Sequence, residues 1–379
     1  MIKDIRIYPS VSSTGKNTIK IKVFTTNSHF ISTVPSTPVK SFRELSDVLK
    51  KIKVNFIGLD EMDWITSDQL IEQIDGTDNF SAITPNLAFG ISLSIAKAAT
   101  ENELWRIEEP KKKYQFPYPA ISIISNGKTT WRDFLIIPHK AKNPLEAVKI
   151  LGEVHYIVGE ELRKRKWLTG KNFDNAWLST LDDLRTLDLV SSIAEDYDLK
   201  IGVNFDASAF FKDNRYKYKY LKKSLTAEKQ LDAIIHIAEV YKLYYLEDPF
   251  HCDDFAAFAE LNRRFKNVLI IGNELYRMNI QRIFKGIDIK ATNAVSVHPI
   301  YAGTLLKTIK LVKLLKKNNI HVIASHHRSD TEDNFISDLA VIWECPLIRL
   351  SYLGHDIAKY NRFIELWDDM HETEMAVLP

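Results

Sequence analysis

Side chains able to do chemistry cluster in one short stretch of the chain, SHHRSDTED at residues 325–333. Two histidines, an arginine and a serine stand together, and acidic residues follow them. The stretch comes directly after HVIA, a short apolar run typical of a buried strand. Such a group can bind an anion or a metal ion, or it can be an ordinary solvated loop. The choice depends on whether other polar residues converge on the same place.

Apolar runs alternate with amphipathic segments after residue 119. The runs are AISIIS, FLIIP, KIGVNFD, YYLED, VLIIGNE, AVSVHP, HVIASH and LIRLS. From the third run onward, polar residues mark the carboxyl ends: Asn204 with Asp206, Glu247, Asn273, His298, His326 and Arg349. Most of these marks recur about every 23–28 residues, the length of one strand–loop–helix unit. Eight such runs predict an α/β fold, a (β/α)8 TIM-type barrel, whose chemistry lies on the carboxyl rim of its strands.

The residues before the barrel predict a smaller α+β domain. Three strands are expected in IKDIRIY, NTIKIKVFTT and HFISTVP, and helices in SFRELSDVLKKI, SDQLIEQI and PNLAFGISLSIAKAAT. Ser41 and Glu44 have the spacing of a capping box. The segment EEPKKKYQFPYP is rich in Pro and Lys and is expected to be a linker. We therefore place one domain in residues 1–114 and the barrel in residues 115–379.

Composition narrows the class of protein. The 379 residues are 45% hydrophobic and carry a net charge of +2, so a nucleic-acid partner is not implied. Cys252 and Cys345 lie far apart, which suits a reducing cytoplasm and offers no thiolate metal site. No apolar run approaches the ~20 residues of a membrane span. The basic segments TLLKTIKLVKLLKK and NRYKYKYLKK are better explained as solvated surface, so we expect a cytoplasmic protein without membrane or nucleic-acid partners.

Several segments resemble the enolase (phosphopyruvate hydratase) family. IGVNFDASAFF is similar to that family's IGLDVAASEFF, YLEDPF to SIEDPF, IIGNEL to IVGDDL, and SHHRSDTEDNFISDLAV to SHRSGETEDTFIADLAV. The matches are collinear over about 300 residues. The resemblance implies an N-terminal capping domain on an enolase-type barrel, assembled as a homodimer. It also implies the glycolytic lyase reaction, in which Mg²⁺-dependent dehydration converts 2-phosphoglycerate to phosphoenolpyruvate.

The positions that the resemblance assigns to Mg²⁺ are altered. Three carboxylates are expected there, and this chain has Asn204, Glu247 and Asn273. Mg²⁺ prefers anionic oxygen ligands, and the carboxylate charge falls from −3 to −1. Asp206 lies two residues beyond Asn204 and is expected on the same side of the strand, whereas Glu274 is expected to point away from Asn273. We expect Mg²⁺ binding to be weak or lost.

The proton-transfer positions implied by the resemblance are altered as well. His298 stands in place of the lysine base, and Arg349 in place of a second lysine. A neutral histidine can act as a base near pH 7, but an arginine cannot. Asp174 and Asp133 replace two glutamates, each one methylene shorter. A displacement of about 1 Å can cost on the order of 100-fold in rate.

The phosphate-binding positions are better kept. The family's HRS motif fits SHHRS in two registers, so its histidine corresponds to either His326 or His327. The second register is preferred because it places Arg328 and Ser329 on the phosphate. The family's mobile loop survives only as TVPSTPV, which retains Ser36.

Three functions remain open at this point. The chain is a working phosphopyruvate hydratase, an altered lyase that uses His298 as its base, or a non-catalytic relative. In the third case it would sense a phosphorylated ligand or serve as a structural partner in a complex. The substitutions favour the third interpretation, with a phosphorylated small-molecule carboxylate as the ligand.

Overall fold

The computed structural model describes residues 1–36, 40–125, 127–219 and 224–379. The strands are β1 (Ile2–Val11), β2 (Asn17–Thr25), β3 (His29–Thr33), β4 (Tyr114–Phe116), β5 (Tyr118–Ser125), β6 (Asp133–Ile137), β7 (Leu168–Lys171), β8 (Trp177–Ser179), β9 (Lys200–Asn204), β10 (Phe211–Lys212), β11 (Arg215–Tyr216), β12 (Tyr245–Glu247), β13 (Leu269–Gly272), β14 (Ala294–Val297), β15 (His321–Ser325), β16 (Leu347–Leu350) and β17 (Thr373–Met375). The α-helices are α1 (Phe42–Ile52), α2 (Trp64–Asp75), α3 (Pro85–Ala99), α4 (Pro144–Lys164), α5 (Asp183–Asp196), α6 (Ala227–Val240), α7 (Phe255–Arg264), α8 (Ile280–Asp288), α9 (Leu305–Lys317), α10 (Phe335–Ile342) and α11 (Ile357–Asp369).

The N-terminal elements follow the sequence prediction closely. Strands β1, β2 and β3 form an antiparallel sheet, and α3 packs against β2 and β3. The capping box is confirmed, since Ser41 and Glu44 exchange hydrogen bonds at the start of α1. A Cβ at Gly90 would lie 2.1 Å from Cδ1 of Ile21, so glycine is what lets α3 approach the sheet this closely.

Eight strands close into the predicted barrel, in the order β5, β6, β9, β12, β13, β14, β15, β16 and back to β5. The first part is irregular, because β6 runs antiparallel to both β5 and β9, while the later neighbours are parallel. The residues of the parallel strands are almost all buried, as expected for a sheet covered by helices. The hairpin of β7 and β8 is attached beside β5.

The predicted linker at residues 108–119 is wrong in its second half. Tyr114–Phe116 form β4, which pairs with β17 near the other end of the chain. Phe116 is fully buried, with its ring 5.1 Å from that of Trp367. Aromatic residues in YQFPY outweigh the surrounding Pro and Lys because burying them stabilises an ordered strand. The division into domains at residue 114 stays a prediction.

Helix α9 carries the lysine pattern noted in the sequence. Its apolar side, which includes Leu305 and Leu315, is buried, while Lys310 and Lys313 are exposed. This is the arrangement of an ordinary outer helix of a barrel. Among the described residues, no helix has the length and apolarity needed to cross a bilayer. Part of the segment NRYKYKYLKK, residues 220–223, and part of the loop after Ser36, residues 37–39, lie outside the described residues.

Candidate ligand site at the barrel mouth

The carboxyl ends of the barrel strands enclose a cavity of about 640 Å³. The structure brings twelve of the thirteen predicted site residues to its lining: Ser36, Asp133, Asp174, Asn204, Glu247, Asn273, His298, His326, His327, Arg328, Ser329 and Arg349. Convergence on one cavity favours a shared site over separate solvated loops. The roles assigned to the individual residues stay predictions.

Glu247 has both carboxylate oxygens occupied by protein donors. Asn273 Nδ2 donates to Oε1 at 2.9 Å, and the Tyr245 hydroxyl donates to Oε2 at 2.6 Å. The Glu247 residue is only 3% exposed. Sequence reasoning missed Tyr245, although it lies two residues before Glu247 and so faces the same side of β12. The one carboxylate left at the three metal positions is therefore already satisfied within the protein.

Asp133 belongs to a second satisfied group on the same rim. Arg349 Nη2 donates to Asp133 Oδ2 at 3.0 Å and to Ser122 Oγ at 2.8 Å. Asn204 Nδ2 donates to the same Asp133 oxygen at 3.4 Å. Both charged side chains are less than one-tenth exposed. The guanidinium thus neutralises the carboxylate directly, where the resemblance implied a separate lysine and glutamate.

Asp206 is the predicted site residue that does not line the cavity among the described residues. Strand β9 ends at Asn204, and Asp206 has φ of 48°, so the backbone turns before it. Its Oδ2 instead accepts a hydrogen bond from Arg132 Nη1 at 3.2 Å. The expectation that Asp206 shares a strand face with Asn204 fails because the strand no longer continues there.

Glu274 also departs from the expectation, because it lines the cavity together with Asn273. Strand β13 ends at Gly272, so strand alternation no longer applies to these two residues. The backbone N–H groups of Asn273 and Glu274 donate to the buried Asp248 carboxylate at 3.0 and 2.8 Å. That carboxylate sets the direction of the loop. Burial, followed by the charge of Glu247, raises the pKa of Asp248 to about 8.

His298 presents a protonated nitrogen to its surroundings. The Ile300 backbone N–H donates to Nδ1 at 3.2 Å, which places the proton of the neutral ring on Nε2. Nε2 is buried and has no hydrogen-bond partner among the described residues. Burial, followed by the neighbouring His327, lowers the pKa of His298 well below its ordinary value. The neutral ring can therefore donate a hydrogen bond to an oxygen, but Nε2 cannot accept a proton.

The predicted phosphate end lies where the barrel meets the N-terminal sheet. Ser36 N–H donates to the Ser329 carbonyl at 3.0 Å, and Ser329 Oγ lies 2.8 Å from Thr14 Oγ1. The Ser329 N–H donates to His327 Nδ1 at 3.1 Å. Arg328 is exposed, and its guanidinium lies 4.9 Å from the centre of the Phe173 ring. These contacts fix the loop backbone while leaving the guanidinium of Arg328 open to a ligand.

His326 lies deeper than His327 and is tied to a buried charge cluster. Its Nδ1 lies 2.7 Å from Asp356 Oδ2. Lys359 Nζ lies 2.8 Å from Asp356 Oδ1 and 3.3 Å from Asp330 Oδ2, and all three side chains are fully buried. Burial alone would lower the pKa of His326, but Asp356 outweighs it and raises that pKa. Both histidines line the cavity, so the geometry leaves both registers of SHHRS open.

Cations outnumber carboxylates around the described lining. Three that the sequence analysis did not single out are Lys16, Arg132 and Arg277, which join Arg328 and Arg349. The carboxylates are Asp133, Asp174, Glu247 and Glu274. Arg349 is paired with Asp133, Arg277 with Glu274, and Arg132 with Asp206. Among the described residues, Lys16 and Arg328 are therefore the lining cations left for an anionic ligand. The signal for Arg132 was its place beside Asp133, directly before a barrel strand.

Comparison with known proteins agrees with this architecture. Residues 113–376 match the family model described as "Enolase, C-terminal TIM barrel domain". The chain is 30% identical to the protein named Enolase from Methanosphaera stadtmanae over 411 aligned residues, which cover 100% of this chain and 99% of the relative. It is also 30% identical to Enolase from Archaeoglobus fulgidus over 345 residues, covering 88% and 86%. Enolase from Sulfurisphaera tokodaii is likewise 30% identical, covering 97% and 96%.

Proposed function

The chain belongs to the enolase family, and on this premise we propose that it binds a phosphorylated small-molecule carboxylate at the barrel mouth without dehydrating 2-phosphoglycerate. It would be a non-catalytic relative that keeps the anion-binding half of the site. A cytoplasmic location and a homodimer remain predictions from the sequence.

The hydrogen bond from Asn273 to Glu247 carries this proposal. An amide at the metal position donates to the neighbouring carboxylate, whereas two carboxylates at these positions would repel one another unless a cation or a shared proton lay between them. Binding Mg²⁺ would require turning the Asn273 amide, and Glu247 would lose one of its two donors. The residues present therefore do not fit Mg²⁺ as the family pattern requires, and we derive no catalytic step through that ion.

The groups at the base positions support the same interpretation. His298 directs an N–H outward, and Arg349 is a permanent cation paired with Asp133. Neither group takes a proton from a carbon acid at neutral pH. Both can instead hold an anionic oxygen, with His298 as a neutral donor and Arg349 as a charged one.

The phosphate would be held by Arg328 and Ser329, whose loop is fixed by the contacts to Ser36 and Thr14. Arg328 can be replaced by methionine without loss of stability from buried contacts, because its side chain is exposed. Arg185, an exposed arginine on α5, provides a matched control.

Calorimetric titration with 2-phosphoglycerate in Mg²⁺-free buffer tests the proposal. We expect binding by the intact protein and by Arg185→Met, and a loss of about 10- to 100-fold in Arg328→Met, since a charge-assisted hydrogen bond contributes about 1.5–3 kcal/mol. Absence of binding with and without Mg²⁺ would reject the ligand-binding proposal.

A working hydratase is the second candidate, supported by full-length similarity to proteins named Enolase. Formation of phosphoenolpyruvate from 2-phosphoglycerate, dependent on millimolar Mg²⁺ and lost in His298→Ala, would establish it in place of our proposal.

A further inference from the structure

Three side chains capable of binding a metal meet at one side of the barrel mouth, apart from the three positions that the family assigns to Mg²⁺. One ligand atom from each of Asp174, His326 and His355 lies within 4.8 Å of the other two. Two imidazoles and one carboxylate are a donor set typical of zinc enzymes, and nitrogen donors are poor ligands for Mg²⁺. His355 lies outside the segments that carry the family resemblance quoted above.

The loops that supply Asp174 and His355 are joined to each other. Asp174 lies in the turn between β7 and β8, and His355 lies in the loop between β16 and α11. Asn175 Nδ2 donates to the Tyr352 carbonyl at 3.0 Å, which connects the two loops. His155 Nε2 lies 2.8 Å from the Asn175 carbonyl, so a hydrogen bond between them also fixes the turn that contains Asp174. The two side chains are therefore brought together by the fold and not by flexible surface loops.

His326 is oriented as a ligand would be. Its Nδ1 is engaged by Asp356 Oδ2 at 2.7 Å, which leaves Nε2 available. A carboxylate on the other nitrogen is the usual partner of a metal-bound histidine, since it fixes the ring and raises its basicity. The ring of His355 lies parallel to that of His326, with 5° between the planes and 5.6 Å between the centres.

The other two side chains have polar atoms without partners. Both ring nitrogens of His355 are buried and lack a hydrogen bond among the described residues, as does Asp174 Oδ1. The closest acid to the His355 ring is Asp356, at 3.6 Å, which is longer than a hydrogen bond. Leaving buried polar groups unpaired costs about 1–3 kcal/mol each. A bound cation would satisfy these groups at once.

We propose that Asp174, His326 and His355 form a Zn²⁺ site whose fourth position opens into the barrel cavity. Asp174 and His326 both line that cavity, so a water molecule or an oxygen of the bound anion can complete the coordination. Tetrahedral Zn²⁺ with bonds of about 2.0–2.1 Å places its ligands about 3.3 Å apart. Side-chain shifts of at most about 1.5 Å therefore complete the site.

Titration of chelator-treated, full-length protein with ZnCl₂ tests this proposal, with MgCl₂ as the comparison metal. We expect one Zn²⁺ per chain, and we expect His355→Ala to weaken binding by at least about 100-fold, more than the loss of an outer hydrogen bond would. Asp356→Asn, which replaces the carboxylate at Nδ1 of His326 by a neutral amide and also removes a charge beside Lys359, should lower Zn²⁺ affinity by about 10- to 100-fold. Cobalt absorption in the intact protein should show the intensity of tetrahedral coordination.

His251→Ala is the matched control, because His251, Cys252 and Asp253 form the other described group of potential ligands. It should leave Zn²⁺ binding unchanged. Equal Zn²⁺ affinity in the intact protein and His355→Ala, or loss of binding in His251→Ala instead, would overturn the proposal. Thermal unfolding of each variant verifies its fold, and Asp174→Asn replaces His355→Ala as the deciding variant if the latter unfolds.

Discussion

Asn273 Nδ2 lies 2.9 Å from Oε1 of Glu247 and donates a hydrogen bond to it. In a site built for Mg²⁺, both positions would carry carboxylates, which repel one another until a bound cation lies between them. Here one position donates and the other accepts, so the pair is stable without an ion. The metal positions at the barrel mouth are thus held by hydrogen bonds within the protein.

Restoring two carboxylates should restore metal binding. Asn204→Asp combined with Asn273→Asp returns the charge at the three positions to −3, and we expect Mg²⁺ affinity to rise by at least about 100-fold. Without Mg²⁺ the variant should be less stable than the parent, because three acids then repel one another. Calorimetry and thermal unfolding with and without Mg²⁺ measure both effects. Asn27→Asp with Asn79→Asp adds the same charge at exposed positions and should change neither.

Removing only one member of the buried pair of Arg349 and Asp133 should strongly destabilise the protein. Arg349→Met leaves the Asp133 carboxylate buried without its cation, which should lower the free energy of unfolding by about 3–5 kcal/mol. Urea denaturation measures the change. Adding Asp133→Leu to Arg349→Met should recover much of the loss, since it removes the uncompensated charge. A double variant as unstable as the single one would contradict this account of the pair.

Stability should fall in mild acid because of His155. Burial lowers the pKa of His155 to about 4, against an ordinary value of 6.5. The unfolded chain therefore takes up a proton between these values before the folded protein does. The stabilisation is complete above pH 6.5 and is lost as the pH falls towards 4, by up to about 3 kcal/mol. Chemical denaturation at several pH values follows it.

His155→Phe should reduce that pH dependence while preserving the stacking on Trp177, whose ring centre lies 4.9 Å away. His236→Gln, at an exposed position on α6, should leave the dependence as it is. An unchanged acid slope in His155→Phe would show that other groups govern it.

The sequence predicted the barrel well because its signals are periodic and local. Buried runs recur at unit length, each ending in a polar residue such as Glu247 or His298, and eight of them form the barrel strands. The capping box at Ser41 is equally local, since it depends on only four residues. The antiparallel direction of β6 carries no such signal, because strand direction is decided by packing.

The sequence predicted which residues belong to the site more readily than it predicted the contacts between them. Asp206 was misplaced because strand alternation was extended past Asn204, where the backbone turns with positive φ. The pairing of Arg349 with Asp133 joins residues more than 200 positions apart, and no local sequence pattern around either residue predicts it. Lys359 was missed because its role depends on two carboxylates together: Asp330, which is distant in the sequence, and Asp356, which lies three residues before it, about one helical turn away.

Incubating the protein with 2-phosphoglycerate and millimolar Mg²⁺, and following phosphoenolpyruvate by its absorbance, tests the central claim most directly. The intact protein should bind the substrate and yield no product above the blank, while an authentic enolase converts it under the same conditions. Mg²⁺-dependent product formation that disappears in Glu247→Gln and in His298→Ala would contradict the account.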